Sequence, residues 1–331
     1  MPIPLPGLVP ARGISIWTEA MTEPSYIRLY QTGQLRARAE EAVGLLESCE
    51  LCPRECGVDR LKGEKGFCNT GRRARVASYN AHFGEESPLV GRYGSGTLFI
   101  SSCNLLCGFC QNFEISHLNE GTDVGPDGLA EIMIRLTENG CHNINFVTPT
   151  HVVPQLLEAL LEAVPRGLNV PLVYNSGGYD KVETLRLLEG VFDIYMPDFK
   201  FWETRWAERY CGTSDYRKVA SAAIREMHRQ VGDLVLDGRG IAVKGLLVRH
   251  LVMPENVAGT KKVLEFLAGE ISPDTYVNVM DQYRPCGEVH DDEFIARRLT
   301  PQEFREAMAS ASRAGLRRLD SRDSFRRVLS H

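Results

Sequence analysis

The chain has 331 residues, 43% of them hydrophobic, and a net charge of −5. That length and apolar share supply the core of one large α/β domain or two smaller ones, and the mild acidity gives no general case for nucleic-acid binding. No stretch of about 18 apolar residues exists to span a membrane. Ten Cys are present, seven of them in two tight clusters. The start, Met1–Pro6, has neither a basic region nor a continuous apolar segment. Together these predict a cytoplasmic protein whose cysteines bind metal, not a secreted chain stapled by disulfides.

Residues 1–34 are rich in Pro and Gly and are expected to run irregularly over the surface. Leu35–Ser48, with long charged side chains and few breakers, predicts a helix. Cys49–Cys68 forms a Cys-rich knuckle, and residues 73–93 read as short strands or loops leading into the main domain. Basic runs at Arg72–Arg75 and from Arg317 to Arg327 read as solvated surface.

Strands are expected at Thr97–Ser101, Asn143–Thr148, Val170–Tyr174, Phe192–Met196, Gly245–Met253 and Tyr276–Met280. Helices separate them. Leu129, Ile132, Met133 and Leu136 share one helical face, as do Leu157, Leu160, Leu161 and Val164; Val182–Leu188, Tyr216–Gln230 and Ala258–Leu267 follow. Strand–helix units with unbroken apolar strands predict a parallel sheet covered by helices, and six of them predict a partial (β/α)6 barrel. Thr300-Pro-Gln-Glu303 is a capping box with Pro at the first helical position, opening a helix that should stop at Gly315 before a fraying tail.

Directly after the first of these strands stands Cys103-Asn-Leu-Leu-Cys107-Gly-Phe-Cys110. Three thiolates on one loop suit three corners of a [4Fe–4S] cube, which normally takes four, and would leave one iron open to a ligand. A zinc site would need a fourth donor, the nearest being His117; three unrelated buried Cys are the plain alternative. Functional groups of a parallel barrel gather at the C-terminal ends of its strands. That rule selects Thr148–His151, Asn175–Gly178, Asp198 and Lys200, Arg249 and His250, and Asp281 with Gln282. A turn at Asn175–Gly178, and a solvated strand end or a structural ion pair at Asp198–Lys200, are the ordinary alternatives. Cys141, Cys211 and Cys286 read as ordinary buried Cys.

The Cys103–Cys110 loop resembles the signature of the radical S-adenosylmethionine (SAM) superfamily. The stretch from Gly94 to Phe113 resembles the PflX-like homologues of pyruvate formate-lyase activating enzyme. His82–Glu86, Asn143–His151, Asp193–Lys200, Val248–Leu251 and Met280–Tyr283 agree in order, so the resemblance spans about residues 45–318. It implies an α/β fold with a partial (β/α)6 barrel of the radical SAM type over residues 94–318. Residues 1–93 would form an N-terminal extension holding the knuckle at 49–68, and 319–331 a C-terminal tail.

The resemblance also implies chemistry. Cys103, Cys107 and Cys110 would hold a [4Fe–4S] cluster whose open iron binds SAM; reductive cleavage would give a 5′-deoxyadenosyl radical that abstracts hydrogen from a substrate. Phe109 would flank the adenine, Asn175 and Ser176 would hydrogen-bond ribose or the methionyl amine, and Gly177 would admit close backbone approach. Arg249 would pair with the SAM carboxylate and Asp198 with its amine. An electron donor such as flavodoxin or ferredoxin is implied, and a protein partner if the enzyme activates a glycyl-radical enzyme. A peptide, a small molecule or RNA is the alternative substrate, and a non-catalytic zinc-binding interaction protein the alternative function. The Gly-Gly-Glu that many relatives carry after strand two is here Thr148–His151, so Thr148, Thr150, Ser176 or Asp198 would take over the amine contact. Glu85 and Glu86 read as a lid contact or a surface pair.

The second cluster, Cys49, Cys52, Cys56 and Cys68, has four Cys with Gly57, Gly63 and Gly66 between them. Four thiolates close a zinc site or hold a complete iron–sulfur cluster, and the spacing leaves both open.

Overall fold

The protein is described by a computed structural model covering residues 23–320; the Pro-rich start and Arg326–Arg327 lie outside the described residues. Two helices come first, α1 (Ser25–Gln31) and α2 (Gln34–Gly44). The first corrects the expectation of irregular chain up to residue 34. Its seven residues are held by tertiary contacts: buried Tyr26 donates its hydroxyl to the Val170 carbonyl at 2.9 Å, and the Ser25 amide donates to Asp193 at 3.0 Å.

Next come β1 (Ala74–His82), α3 (Ser87–Val90), β2 (Ser95–Ile100), α4 (Phe113–Ser116), β3 (Thr122–Val124), α5 (Pro126–Glu138), β4 (Ile144–Val147) and α6 (Val153–Ala163). They are followed by β5 (Leu172–Ser176), α7 (Val182–Leu187), β6 (Ile194–Pro197), α8 (Thr204–Cys211), α9 (Tyr216–Val231) and β7 (Val235–Leu236). The chain ends with β8 (Ala242–Leu251), α10 (Thr260–Phe266), β9 (Tyr276–Met280), α11 (Pro301–Ala314) and β10 (Arg318–Leu319). All six expected strands are present. So are the expected helices, while α8 was not foreseen.

The fold is a mixed α/β one dominated by a parallel sheet. Strands β2, β4, β5, β6, β8 and β9 pair side by side, parallel and in chain order. Every residue of β5 and β6 is buried, as expected of strands covered on both faces. Beside β2 lies β1, a nine-residue antiparallel strand where short strands or loops were expected, with β3 outside it. At the other edge the chain after Gly315 adds β10, parallel to β9, instead of fraying at once.

The segment after β1 joins the two edges of the parallel set. The Asn278 side-chain amide on β9 donates to Glu86 at 2.9 Å, and the Ser87 amide donates to Asp320 at 3.2 Å. Leu89 of α3 packs among Val173, Ile194, Met196 and Leu247 from β5, β6 and β8. The sheet therefore curls, with a plug at one end and the C-terminal strand ends around a cavity at the other. Outside, α5 buries Leu129, Ile132, Met133 and Leu136, and α6 buries Leu156, Leu157 and Leu160. No helix among the described residues is long and apolar enough to cross a membrane.

The capping box forms as read. The Glu303 amide donates to the Thr300 hydroxyl oxygen at 3.2 Å, the Thr300 amide donates back to the Glu303 carboxylate at 2.8 Å, and Gly315 ends α11 at φ +88°. Thr300→Ala should lower unfolding free energy by about 1 kcal/mol. An unchanged midpoint in urea-induced unfolding would mean the cap contributes nothing.

Candidate functional site

The cavity at the C-terminal strand ends has a volume of about 410 Å³, and residues of all six parallel strands or the turns after them line it. Cys103, Cys107 and Cys110 lie on its wall. Their loop has little regular structure, and three neighbours hold it from outside. Gly108 donates its amide to the Tyr210 carbonyl at 2.9 Å and accepts the Glu288 amide at 2.8 Å, while the Asn104 side chain donates to the Tyr179 carbonyl at 2.7 Å. Ser102 and Leu106 take positive φ, +73° and +48°, a conformation uncommon outside glycine that these contacts sustain.

Each sulfur has a neighbour. Cys103 accepts the Leu105 amide at 3.3 Å, and Cys110 accepts the Ser116 hydroxyl at 3.2 Å. Cys107 lies 3.2 Å from the sulfur of Cys211 at the end of α8. Cys211 is thus more than an ordinary core residue, and nothing in its local sequence signalled this. Burial pushes the Cys103 thiol up to about 12 and raises Cys110 as well; the hydrogen bond with Cys211, then burial, raises Cys107. These shifts leave the three thiols neutral near pH 7. His117, the sequence's nearest fourth donor, stacks its ring on Phe113 at 4.1 Å.

Beside the thiols lies a half-buried ion network. Arg249 donates from Nε to Asp198 at 2.8 Å and from Nη2 to the Asn175 side-chain oxygen at 2.7 Å; Lys200 Nζ stands 2.5 Å from the other Asp198 oxygen. Burial alone would raise the Asp198 carboxyl, but Arg249 and Lys200 outweigh it and hold it below the usual range. Gly177 lets this region close. A Cβ there would sit 2.8 Å from Leu105, and one at Gly178 would sit 2.1 Å from the Asp198 carbonyl oxygen. Phe109, 5% exposed, lines the cavity and meets Phe201 and Tyr210 edge-on.

The remaining candidates divide. Ser176 lines the cavity, but its hydroxyl is committed to Asp180 at 2.6 Å, and Thr150 bonds the same carboxylate at 2.7 Å. Thr148 and Gln282 line the cavity; Thr150, His151, His250 and Asp281 do not. His250 points into the core, donating from Nδ1 to the Phe199 carbonyl at 2.7 Å and accepting the Thr260 hydroxyl at 2.9 Å. Glu85 and Glu86 are no surface pair. Both are buried on the cavity wall, Glu85 beside His82 and 4.0 Å from Arg249.

The knuckle folds against the outside of the same loop. Cys49, Cys52 and Cys68 are buried and Cys56 is half-buried, all lining one small pocket. Nitrogen donors surround them: the Arg60 guanidinium to Cys49 at 3.7 Å, the Phe67 amide to Cys56 at 3.4 Å, and the Arg54 amide to Cys52. Burial outweighs the Arg54 bond and pushes the Cys52 thiol up to about 12. A Cβ at Gly66 would lie 2.7 Å from the Cys56 sulfur. All ten cysteines are free. Among the described residues no group of three or more His, Cys, Asp and Glu side chains is spaced to hold a metal ion.

The two cysteine regions share a clamp. Arg54, between Cys52 and Cys56, donates from Nε to the Asn104 carbonyl at 2.9 Å. It donates from Nη1 and Nη2 to the Gly212 and Cys211 carbonyls at 2.8 Å, and it stacks 3.8 Å from the Phe67 ring centre.

Burial lowers His250 to about 4, against about 6.5 for an exposed imidazole. Between those values the unfolded chain takes up a proton that the folded protein refuses. His250 therefore costs no stability above pH 6.5 and progressively more as pH falls towards 4, about 2 kcal/mol between pH 7 and 5. His250→Gln should flatten this part of the stability profile, measured by urea unfolding at both pH values; parallel profiles would contradict it.

No family model matches the chain. Its sequence is 25% identical over 251 residues to the uncharacterized protein MJ0808 of Methanocaldococcus jannaschii, covering 69% of this chain and 68% of that protein. A crystal structure of a domain of pyruvate-formate lyase-activating enzyme from Bacteroides vulgatus overlaps 59% of this chain and 89% of its own, at 14% identity and a TM-score of 0.33, too slight a likeness to argue from. A longer match, 32% identity over 292 residues, covers 85% of this chain and 79% of the uncharacterized protein MJ0674 of the same archaeon. The chain belongs to the family of MJ0674.

Proposed function

We propose that the protein is a radical SAM enzyme whose Cys103, Cys107 and Cys110 hold a [4Fe–4S] cluster at the mouth of a partial (β/α)6 barrel. The observation that carries this reading is the position of three thiols from one eight-residue loop on the wall of the cavity that also holds Asp198, Lys200, Arg249 and Asn175. The donor set suits the group in kind: three soft sulfur ligands from one loop, which a cluster would have to draw together since they are not spaced for a metal beforehand, and an adjoining space large enough for a nucleoside-sized molecule. The Cys211 sulfur, 3.2 Å from Cys107, comes from α8 and is assigned no cluster iron. Bound there, the cluster would supply the electron that cleaves SAM to a 5′-deoxyadenosyl radical.

The chain's own residues supply recognition. Asp198, held ionised, accepts the methionyl ammonium. Lys200 and Arg249 are cations beside it, and the Arg249 Nη1, 4.0 Å from Glu85, would take the carboxylate. Asn175 and the backbone at Gly177 receive the ribose, and Phe109 forms an apolar wall for the adenine. Met280, Leu251 and Leu105 add apolar lining to the cavity. An electron donor of the flavodoxin or ferredoxin kind completes the scheme. By resemblance to activating enzymes, the hydrogen donor is a glycyl residue of a partner protein, with a peptide, small molecule or RNA as the other substrate classes. Residues 94–318 form the catalytic barrel and 1–93 its extension.

Protein reconstituted with iron and sulfide, then reduced with SAM present, should release 5′-deoxyadenosine. Cys107→Ala should release none, and Asp198→Asn should lower the yield at least 10-fold. Equal product from wild type and Cys107→Ala would refute the assignment. A colourless protein that takes up zinc alone would favour a non-catalytic metal-binding role.

A further inference from the structure

His151 follows β4, where the strand-end rule expected it at the cavity mouth. The structure turns it the other way. Its side chain is 1% exposed and lines the knuckle pocket together with Cys49, Cys52, Cys56 and Cys68. Nε2 lies 2.9 Å from the Ser101 carbonyl oxygen, which can only accept, so Nε2 carries the hydrogen. Nδ1 is then a lone pair. It is buried and has no hydrogen-bond partner. A buried acceptor left unpaired is a cost to the fold, and a ligand at that nitrogen would remove it.

A carbonyl that fixes one imidazole nitrogen as donor, leaving the other bare, is the arrangement that orients histidine metal ligands. Here the residue that carries the bare nitrogen lines one small pocket with four cysteines. Arg60 fixes both partners, donating to the His151 carbonyl at 2.9 Å and to the Cys49 sulfur. Two guanidinium groups, Arg54 and Arg60, line the pocket, and no carboxylate does. Their charge would offset the net negative charge of a divalent ion bound by several thiolates.

We propose that the knuckle binds a zinc-like divalent ion with a mixed shell, in which His151 Nδ1 takes the place of one thiolate. The ion draws the ligands together, since they are not spaced for it beforehand. Bound so, it joins the knuckle to the turn after β4, and through Ser101 to the residues preceding Cys103. This site stands apart from the radical chemistry proposed above and does not depend on it.

The test uses the full chain, reconstituted first with iron and then given one equivalent of zinc. X-ray absorption at the zinc edge reads that ion alone and needs no variant. The expected shell is three sulfurs near 2.3 Å and one nitrogen near 2.0–2.1 Å. His151→Gln should lose the nitrogen and weaken zinc binding at least 10-fold in competition with a chelator. An all-sulfur shell, failure to bind zinc, or a His151→Gln protein with unchanged shell and affinity would each overturn the proposal, whatever the yield of 5′-deoxyadenosine.

Discussion

Three thiols have to face one cavity from a loop that cannot hold itself in place. Cys103–Cys110 makes almost no regular hydrogen bonds of its own and includes a residue at positive φ. Its conformation is imposed by the Tyr210 and Tyr179 carbonyls, the Glu288 amide and the Arg54 guanidinium. These come from α8, the turn after β5, the chain before α11 and the knuckle. The geometry of the sulfurs is thus a property of the whole fold, and the knuckle is one of its supports.

The cavity is built on the same logic. Asp198 is half-buried and held ionised by two half-buried cations, each partly desolvated at a cost that the carboxylate offsets. Arg249 reaches across from β8 to residues on β5 and just after β6, so the network also fixes how those strands meet. A ligand bringing its own ammonium and carboxylate would exchange partners with this set instead of needing new charges. That economy is the physical case for an amino-acid-bearing ligand such as SAM.

The scaffold was legible in the sequence because it rests on periodicity. Unbroken apolar runs marked the parallel strands, i, i+3, i+4, i+7 faces marked α5 and α6, and Thr300–Glu303 marked its own helix. The Cys103–Cys110 spacing marked the loop, and the strand-end rule brought Asn175, Asp198 and Arg249 to it. What stayed hidden depends on partners far away in the chain. The seven residues of α1 gain their place from Tyr26 reaching Val170. His151 and His250 both sit near strand ends, but Ser101 and Arg60 turn one into the knuckle, while Phe199 and Thr260 hold the other in the core. Cys211 meets Cys107 only because α8 packs over the loop. For Glu85 and Glu86 the sequence left a lid contact and a surface pair open, because two adjacent acids carry no periodicity to decide it; the crossing from β1 to β9 buries them.

The central claim is that one iron held by the Cys103–Cys110 loop keeps a position open for SAM. Electron paramagnetic resonance of the reconstituted, reduced protein tests it most directly. The account predicts a reduced-cluster signal that shifts when SAM is added and vanishes when Cys103, Cys107 and Cys110 are all replaced by alanine. A signal indifferent to SAM, or one that survives loss of all three thiols, would contradict it.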